Sequence, residues 1–381
     1  MSLIKSKLPH TGTTIFTIMS ALANQEKALN LSQGFPDFPT DPKLIELVSS
    51  FMKEGFNQYS PLGGVPSLRQ VLSDIAHHDY NHRYDPETEV TITHGATQAI
   101  ATALTASIRE GDEVIIFTPA YDCYAPMVEL NGGIPIYIQL EYPDYHIDWD
   151  SVKNRINHRT RMIIINTPHN PTSMVWGEED IKTLEEITAD SNILVLADEV
   201  YEQIVFSPKS HLSVAGSKAL AERSFKIGSL GKVLHVTGWK VGYCMAPAEL
   251  MQEFRKVHQF HVFSANTPVQ LGMAEFLKNP ENRNIAGMLE DKRDLFRKEL
   301  QGSGFSILPS EGSYFQLLEY SELSDEPDTD FARRLTVDHK VASIPISVFY
   351  HIPTDNKVLR FCFAKSDETI KEAAKRLRAI S

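Results

Sequence analysis

The 381-residue chain is poor in cysteine: Cys123, Cys244 and Cys362 are the only three, far apart and without a CxxC pair. That scarcity argues against a disulfide framework or a structural zinc site and points to a reducing compartment. Long hydrophobic runs are missing too, and none approaches the roughly 20 apolar residues of a membrane span. The opening MSLIKSKLPHTGTT carries two lysines but no apolar h-region, so a signal peptide is not expected and a cytoplasmic location is. Positive charge is short as well. Lys plus Arg number 37 against 49 Asp plus Glu, a formal charge of -12, which argues against a nucleic-acid partner. Anionic small ligands are still allowed, because a local group of cations can sit inside an acidic molecule.

Several signature strings are also absent. There is no GxGxxG and no GxSxG, the main cues for dinucleotide binding and for α/β-hydrolase chemistry. A phosphate loop of the GxxxxGK type would need glycine where Lys226 stands. Ser229 and Lys232 have SxxK spacing, but the S-D-N and K-T-G partners of β-lactamase-like enzymes do not occur.

What is present is an alternation of strand-like and helix-like segments. Strands are expected at Val90 to Thr93, Val114 to Phe117, Ile134 to Gln139, Met162 to Asn166, Ile193 to Asp198, Ser224 to Ser229 and Gly242 to Ala246. Several are continuous and apolar, as in strands covered on both faces of a mostly parallel sheet. Helical spacing between them, as at Ala96 to Arg109 and Glu178 to Asp190, indicates an α/β fold. Upstream, helices are expected around Ile15 to Leu22, after the Asp41-Pro42 start signal, and around Leu68 to Ile75. Beyond about Asn266 come a long helical region, short strands around Phe305 to Leu318 and Val358 to Phe363, and a last helix. This suggests a large domain over 45–275 and a smaller α+β domain built from 1–44 and 276–381. The acidic stretch Glu322 to Asp330 is read as a solvated loop, and His77, His78, His82, His258 and His261 are not read as metal ligands.

Three segments carry chemistry. Asn166-Thr167-Pro168-His169-Asn170-Pro171 is a rigid turn directly after an apolar strand, where Asn170 would present an amide. Asp198 ends another apolar strand, at the carboxyl edge where open α/β sheets bind ligands; a carboxylate there needs a facing cation unless it caps the next element. Tyr201 follows three residues later. Ser229-Leu230-Gly231-Lys232 places a lysine beyond a third strand end, with Gly238-Trp239-Lys240-Val241-Gly242 close behind.

Together these segments resemble the aminotransferases of fold type I, which depend on pyridoxal 5'-phosphate (PLP). SQGFPDF (Ser32 to Phe38), YDCYAPM (Tyr121 to Met127), GWKVGY (Gly238 to Tyr243) and RFCFAK (Arg360 to Lys365) resemble the kynurenine, glutamine and methionine aminotransferase branch. The likeness runs from about Thr11 to the C-terminus. It implies a mostly parallel seven-stranded sheet in the large domain and active sites at a homodimer interface. Lys232 matches the lysine that bonds the cofactor aldehyde, and Asp198 the carboxylate paired with its pyridine nitrogen. Asn170 and Tyr201 match donors to the ring hydroxyl, and Tyr121 the aromatic residue stacked on the ring. Gly95, Ala96 and Thr97, at a helix N-terminus, match the phosphate site, joined by Ser229, Lys240 and, from the neighbouring subunit, Tyr59. Arg360 matches the arginine that holds the substrate carboxylate, with Gly34 and Asn170 beside it. Phe16, and Phe263 from the partner, fall at side-chain pocket positions.

Two departures stand out. Position 240 is Lys where many aminotransferases have Arg, and Val233-Leu234 replaces a hydroxyl and an aromatic residue, so packing should differ there. An aromatic pocket favours large neutral side chains; the resemblance around SQGFPDF and TPHNP (Thr167 to Pro171) makes methionine the first choice, with aromatic amino acids, histidine and glutamine also open. The alternatives are a β-lyase of the same fold acting on cysteine conjugates, and a non-catalytic PLP-binding protein.

Overall fold

A computed structural model describes residues 3–380. Its centre is a seven-stranded sheet in the spatial order Val90–Thr93, Gly242–Met245, Ser224–Ser229, Leu194–Asp198, Thr160–Asn166, Glu113–Thr118, Ile134–Gln139. Gly242–Met245 runs antiparallel to both neighbours and every other pairing is parallel. The inner strands are buried at every residue apart from Arg161, which explains their unbroken apolar sequences: helices cover both faces. The seven strands of this sheet and the helices Gly95–Ser107 and Glu178–Thr188 lie within about two residues of the positions expected from sequence, whereas the upstream helices Ile15–Glu26 and Pro66–Tyr80 run four and five residues past their expected C-terminal ends.

Asn166, Asp198 and Ser229 end three neighbouring strands in this sheet, so their side chains open toward one edge. The helix Gly95–Ser107 follows the strand Val90–Thr93 and starts at the same edge. Two glycines make that start possible. Gly95 has φ +75°, and Gly242, paired with Thr93, lies so close that a Cβ would stand 2.6 Å from the Ala96 nitrogen. Any larger residue at 242 would push the helix N-terminus out of place.

A second, four-stranded antiparallel sheet has the order Ile344–Pro345, Val358–Cys362, Phe315–Glu319, Ser306–Ile307. Leu29–Asn30 pairs in parallel with Val341–Ala342, tying the N-terminal segment to the C-terminal one. The helix Pro42–Lys53 begins where Asp41 accepts the Lys43 N–H at 2.8 Å, with Pro42 at its first position. One reading is corrected. Asp328 is not in a solvated loop but starts the helix Asp328–Asp338, is 1% exposed, and accepts from the Ser347 hydroxyl at 2.6 Å. No helix among the described residues is long and apolar enough to cross a membrane.

Candidate active site

A crevice at the carboxyl edge of the large sheet encloses about 690 Å³ of empty space, counting its mouth. It gathers Gly95, Ala96, Thr97, Tyr121, Asn170, Asp198, Tyr201, Ser229, Lys232 and Lys240 from distant stretches of sequence. A neighbouring space continues past Lys232 to Gly34, Phe16 and Arg360. Tyr59 and Phe263 stand outside this chain's crevice. They are 81% and 53% exposed and pack edge to face with ring centres 5.2 Å apart.

Lys232 sits in the short helix Leu230–Val233, one turn past the strand end. Its Nζ donates to the Gly34 carbonyl at 3.2 Å, which also accepts from the Tyr314 hydroxyl at 2.9 Å. The amine lies 5.6 Å from the Tyr201 ring centre and 5.5 Å from that of Tyr314. Burial, helped by the charges of Arg360 and Lys240, pushes its pKa down to about 8. Gly34 has no room for a side chain, since a Cβ would lie 2.7 Å from the Phe315 ring. Val233 and Leu234, where a hydroxyl and an aromatic residue were noted as missing, are both buried in the apolar core.

Asp198 is 4% exposed, and burial pushes its carboxyl up to about 6 although the Tyr124 hydroxyl donates to it at 2.6 Å. A carboxylate held this way in a cavity wall is set up to face a cation. Asn166 locks the frame: its amide donates to the Asp198 carbonyl at 2.8 Å, and its oxygen accepts the Asn170 N–H at 2.8 Å. Lys240 has left-handed backbone, with φ 56°, and its Nζ comes against Gly95, where a Cβ would lie 3.1 Å from it. An ammonium beside free helix N-terminal amides is an anion site.

Arg360 is 1% exposed in the middle of its strand, with its planar group 4.0 Å from the Phe315 ring centre and 5.2 Å from that of Phe16. It donates to the Asn170 side-chain oxygen and, at 2.9 Å, to the Ser32 carbonyl. Its Nε is buried without a partner, and burial pushes its pKa down to about 10. No carboxylate of this chain pairs with it among the described residues, which leaves the guanidinium for one from outside.

Sequence reasoning missed three contributors. Tyr124 lay inside the YDCYAPM string without a role, Asn166 was read only as part of a turn, and Tyr314 had no signal at all. Only the fold brings Tyr124 to Asp198, 74 residues on.

Residues 26–377 match the family model for aminotransferase class I and II. The chain belongs to that family. This aminotransferase is 46% identical to the methionine aminotransferase of Escherichia coli K12, over 99% of its own length and 98% of the relative's. It is 32% identical to human kynurenine--oxoglutarate transaminase 3, over 97% and 88%. An E. coli structure reported with a methionine aminotransferase function superposes with a TM-score of 0.97 at 45% identity, covering all of both chains. The N-succinyldiaminopimelate aminotransferase structure from Mycobacterium tuberculosis gives 0.95 at 36%, over 99% and 100%. The fold is therefore type I, as the sequence motifs suggested.

One property of the aminotransferase can be read directly. In cofactor-free protein, the rate at which Lys232 reacts with an aldehyde should rise with pH through a midpoint near about 8, because the neutral amine is the nucleophile. Mass-spectrometric labelling across pH checks this. A midpoint near the ordinary lysine value of about 10.4 would contradict the burial argument.

Proposed function

We propose that this aminotransferase uses PLP to move the amino group of methionine, or of another large neutral amino acid, to a 2-oxo acid. The observation that carries the reading is the pairing, within one crevice, of Lys232 held near pKa 8 with a buried Asp198 that forms no salt bridge among the described residues. The residues fit the cofactor. Gly95 and the following amides with Lys240 and Ser229 make a cradle for its phosphate, which a Cβ at 95 would fill. Asp198 suits its protonated ring nitrogen, Asn170 and Tyr201 its hydroxyl, and Tyr121 the ring face. When bound, PLP supplies an aldehyde that condenses with amines and a ring that accepts the electrons left by the Cα proton.

The chain's own groups do the rest. Arg360, backed by Asn170 and Ser32, binds the substrate carboxylate and fixes which Cα bond points at Lys232. Lys232, as a free amine, would take the Cα proton as general base and, as the ammonium so formed, serve as the general acid. The Gly34 carbonyl, which accepts from Lys232 here, keeps the amine aimed between cofactor and substrate. Tyr124 holds Asp198 ionised and oriented by donating to it.

Phe16 lies against Tyr121 and Phe349, with ring centres 6.4 and 5.7 Å away, and gives the side-chain pocket an apolar wall. Exposed Tyr59 and Phe263 suit a homodimer in which each reaches the partner's crevice, Tyr59 toward the phosphate and Phe263 toward the substrate side chain. We assign 45–275 to the cofactor-binding domain and 1–44 with 276–381 to the smaller one.

A panel of amino donors with PLP-loaded protein tests the reading: methionine, phenylalanine, histidine, glutamine and aspartate. Methionine should lead and aspartate should lag by at least about tenfold, the cost of placing a second carboxylate against apolar walls. Equal or faster transfer from aspartate would overturn the substrate assignment, and no transfer from any donor would overturn the activity.

A further inference from the structure

The loop between the strand Glu113–Thr118 and the helix Tyr124–Leu130 leaves the sheet at the ligand edge. It carries Tyr121, which lines the cofactor crevice, and directly after it Asp122. The loop is pinned: the Ala120 N–H donates to the Phe349 carbonyl at 2.9 Å, and the Tyr121 ring packs against Phe16. Asp122 lines the space that continues past Lys232 to Arg360, about 1150 Å³ counting its open mouth. Three charged residues line that space: Asp122, Lys232 and Arg360. Lys232 faces the cofactor aldehyde and Arg360 the substrate carboxylate. Asp122 has no such role yet, and it is the charge left over for the rest of the substrate.

Asp122 is partly buried, yet among the described residues its carboxylate has no donor but its own N–H and no cation in ion-pair contact. Arg360 acts on it through space, pulling the carboxyl down against the burial that raises it. Asp122 is less buried than Asp198, whose carboxyl reaches only about 6, so it is ionised at neutral pH. The other polar side chains toward the mouth are neutral and already engaged in part. Gln33 accepts from the Ser20 hydroxyl at 3.0 Å, and the Thr14 hydroxyl accepts the Thr17 N–H at 3.4 Å. Phe16, Pro126 and Phe315 make the apolar part of the wall. A half-buried anion in such a wall gains from any N–H brought to it. A second anion entering the same space meets a repulsion that the apolar walls strengthen.

We propose that Asp122 is a specificity-determining residue of the side-chain pocket: it accepts from an imidazole or carboxamide N–H of the substrate and turns away side chains that end in a carboxylate. The inference rests on the reading of Arg360 as the group that holds the substrate carboxylate, since that contact directs the other end of the amino acid into the space Asp122 lines. A thioether or phenyl side chain gains from the Phe16 wall and leaves Asp122 hydrated at the mouth. Acidic donors are therefore excluded by charge as well as by apolar walls.

Three carboxylic acids, each an amino acid without its amino group, test this by calorimetry on the PLP-loaded full-length protein: 3-phenylpropionate, 3-(imidazol-4-yl)propionate and glutarate. At about pH 8.5 the imidazole is largely uncharged, so hydrogen bonding is read apart from ion pairing. Measured against 3-phenylpropionate, Asp122→Asn should weaken the imidazole acid roughly three- to tenfold, as a charged acceptor gives way to a neutral one. The same variant should tighten glutarate at least about fivefold, because the repulsion is gone. Asp122→Ser should move both ratios in the same directions and serves if the first variant folds poorly. If all three acids bind and neither variant changes the ratios, Asp122 has no part in specificity and Arg360 keeps its role. If 3-phenylpropionate fails to bind the parent protein, the reading of Arg360 falls and this inference falls with it.

Discussion

On the proposed function, replacing Lys232 with alanine should abolish covalent attachment of the cofactor and cut turnover by at least about 10³-fold, since the proposal has the same amine both bond the aldehyde and move the proton. The scaffold should tolerate the change. The side chain makes one hydrogen bond, to the Gly34 carbonyl, and its ammonium is disfavoured by burial and by Arg360 and Lys240. The sign follows from the depressed pKa. Below about pH 8 the folded state carries a charge it solvates worse than the unfolded chain does, so removing the group should not lower the unfolding midpoint of cofactor-free protein at pH 7. The comparison must be made without PLP, because a ligand bound only to the folded state raises the wild-type midpoint by mass action. Absorbance of the dialysed protein and a single-turnover assay with methionine supply the readout. Full activity with the cofactor band intact would end the assignment of Lys232.

Much of this was legible before the fold was known, for a physical reason. The inner strands are covered on both faces, so they are written as continuous apolar runs, and the polar residue that ends each run marks the ligand edge. Asp198 and Ser229 were visible in that way, and the same mark at Asn166 went unused. The short pairings were not. Leu29–Asn30, Val341–Ala342 and Ile344–Pro345 are two residues each, too short for a period to show, and exist because distant segments meet. Tyr124 was hidden for the same reason, since nothing local announces a bond to Asp198. Asp328 misled because charge density suggests solvent, whereas Ser347 supplies the two donors that make its burial tolerable. Lys226 did leave a signal that went unused. A lysine inside the buried strand SFKIGS must find carboxylates, and Glu199 and Glu202 follow the neighbouring strand directly.

Those carboxylates set up the second large effect, Lys226→Met. Lys226 Nζ is 2.7 Å from Glu202 and 3.4 Å from Glu199, with all three side chains at most 5% exposed. Tyr80 and Tyr243 also donate to Glu202, while His211, the Ser213 hydroxyl and the Val214 N–H complete Glu199. Burial alone would raise the Glu199 carboxyl, yet Lys226 and His211 hold it below the usual carboxylate range. Methionine keeps the volume and removes the charge, leaving two buried carboxylates face to face at a cost of about 3–5 kcal/mol. The denaturation midpoint at pH 7 should fall accordingly, and Glu199→Gln with Glu202→Gln in the same chain should restore most of it, because neutral amides need no counter-ion. The pH dependence separates lost charge from lost packing. In the parent protein the depressed Glu199 contributes stability above its unfolded pKa of about 4.5, and that is lost as pH falls through the folded value. In Lys226→Met the folded pKa instead lies above the unfolded one, so its deficit is full at neutral pH and shrinks on acidification. The two midpoints should therefore converge between pH 7 and about pH 4. A deficit constant over that range would mean that Lys226 acts through packing and not as the counter-ion of Glu199 and Glu202.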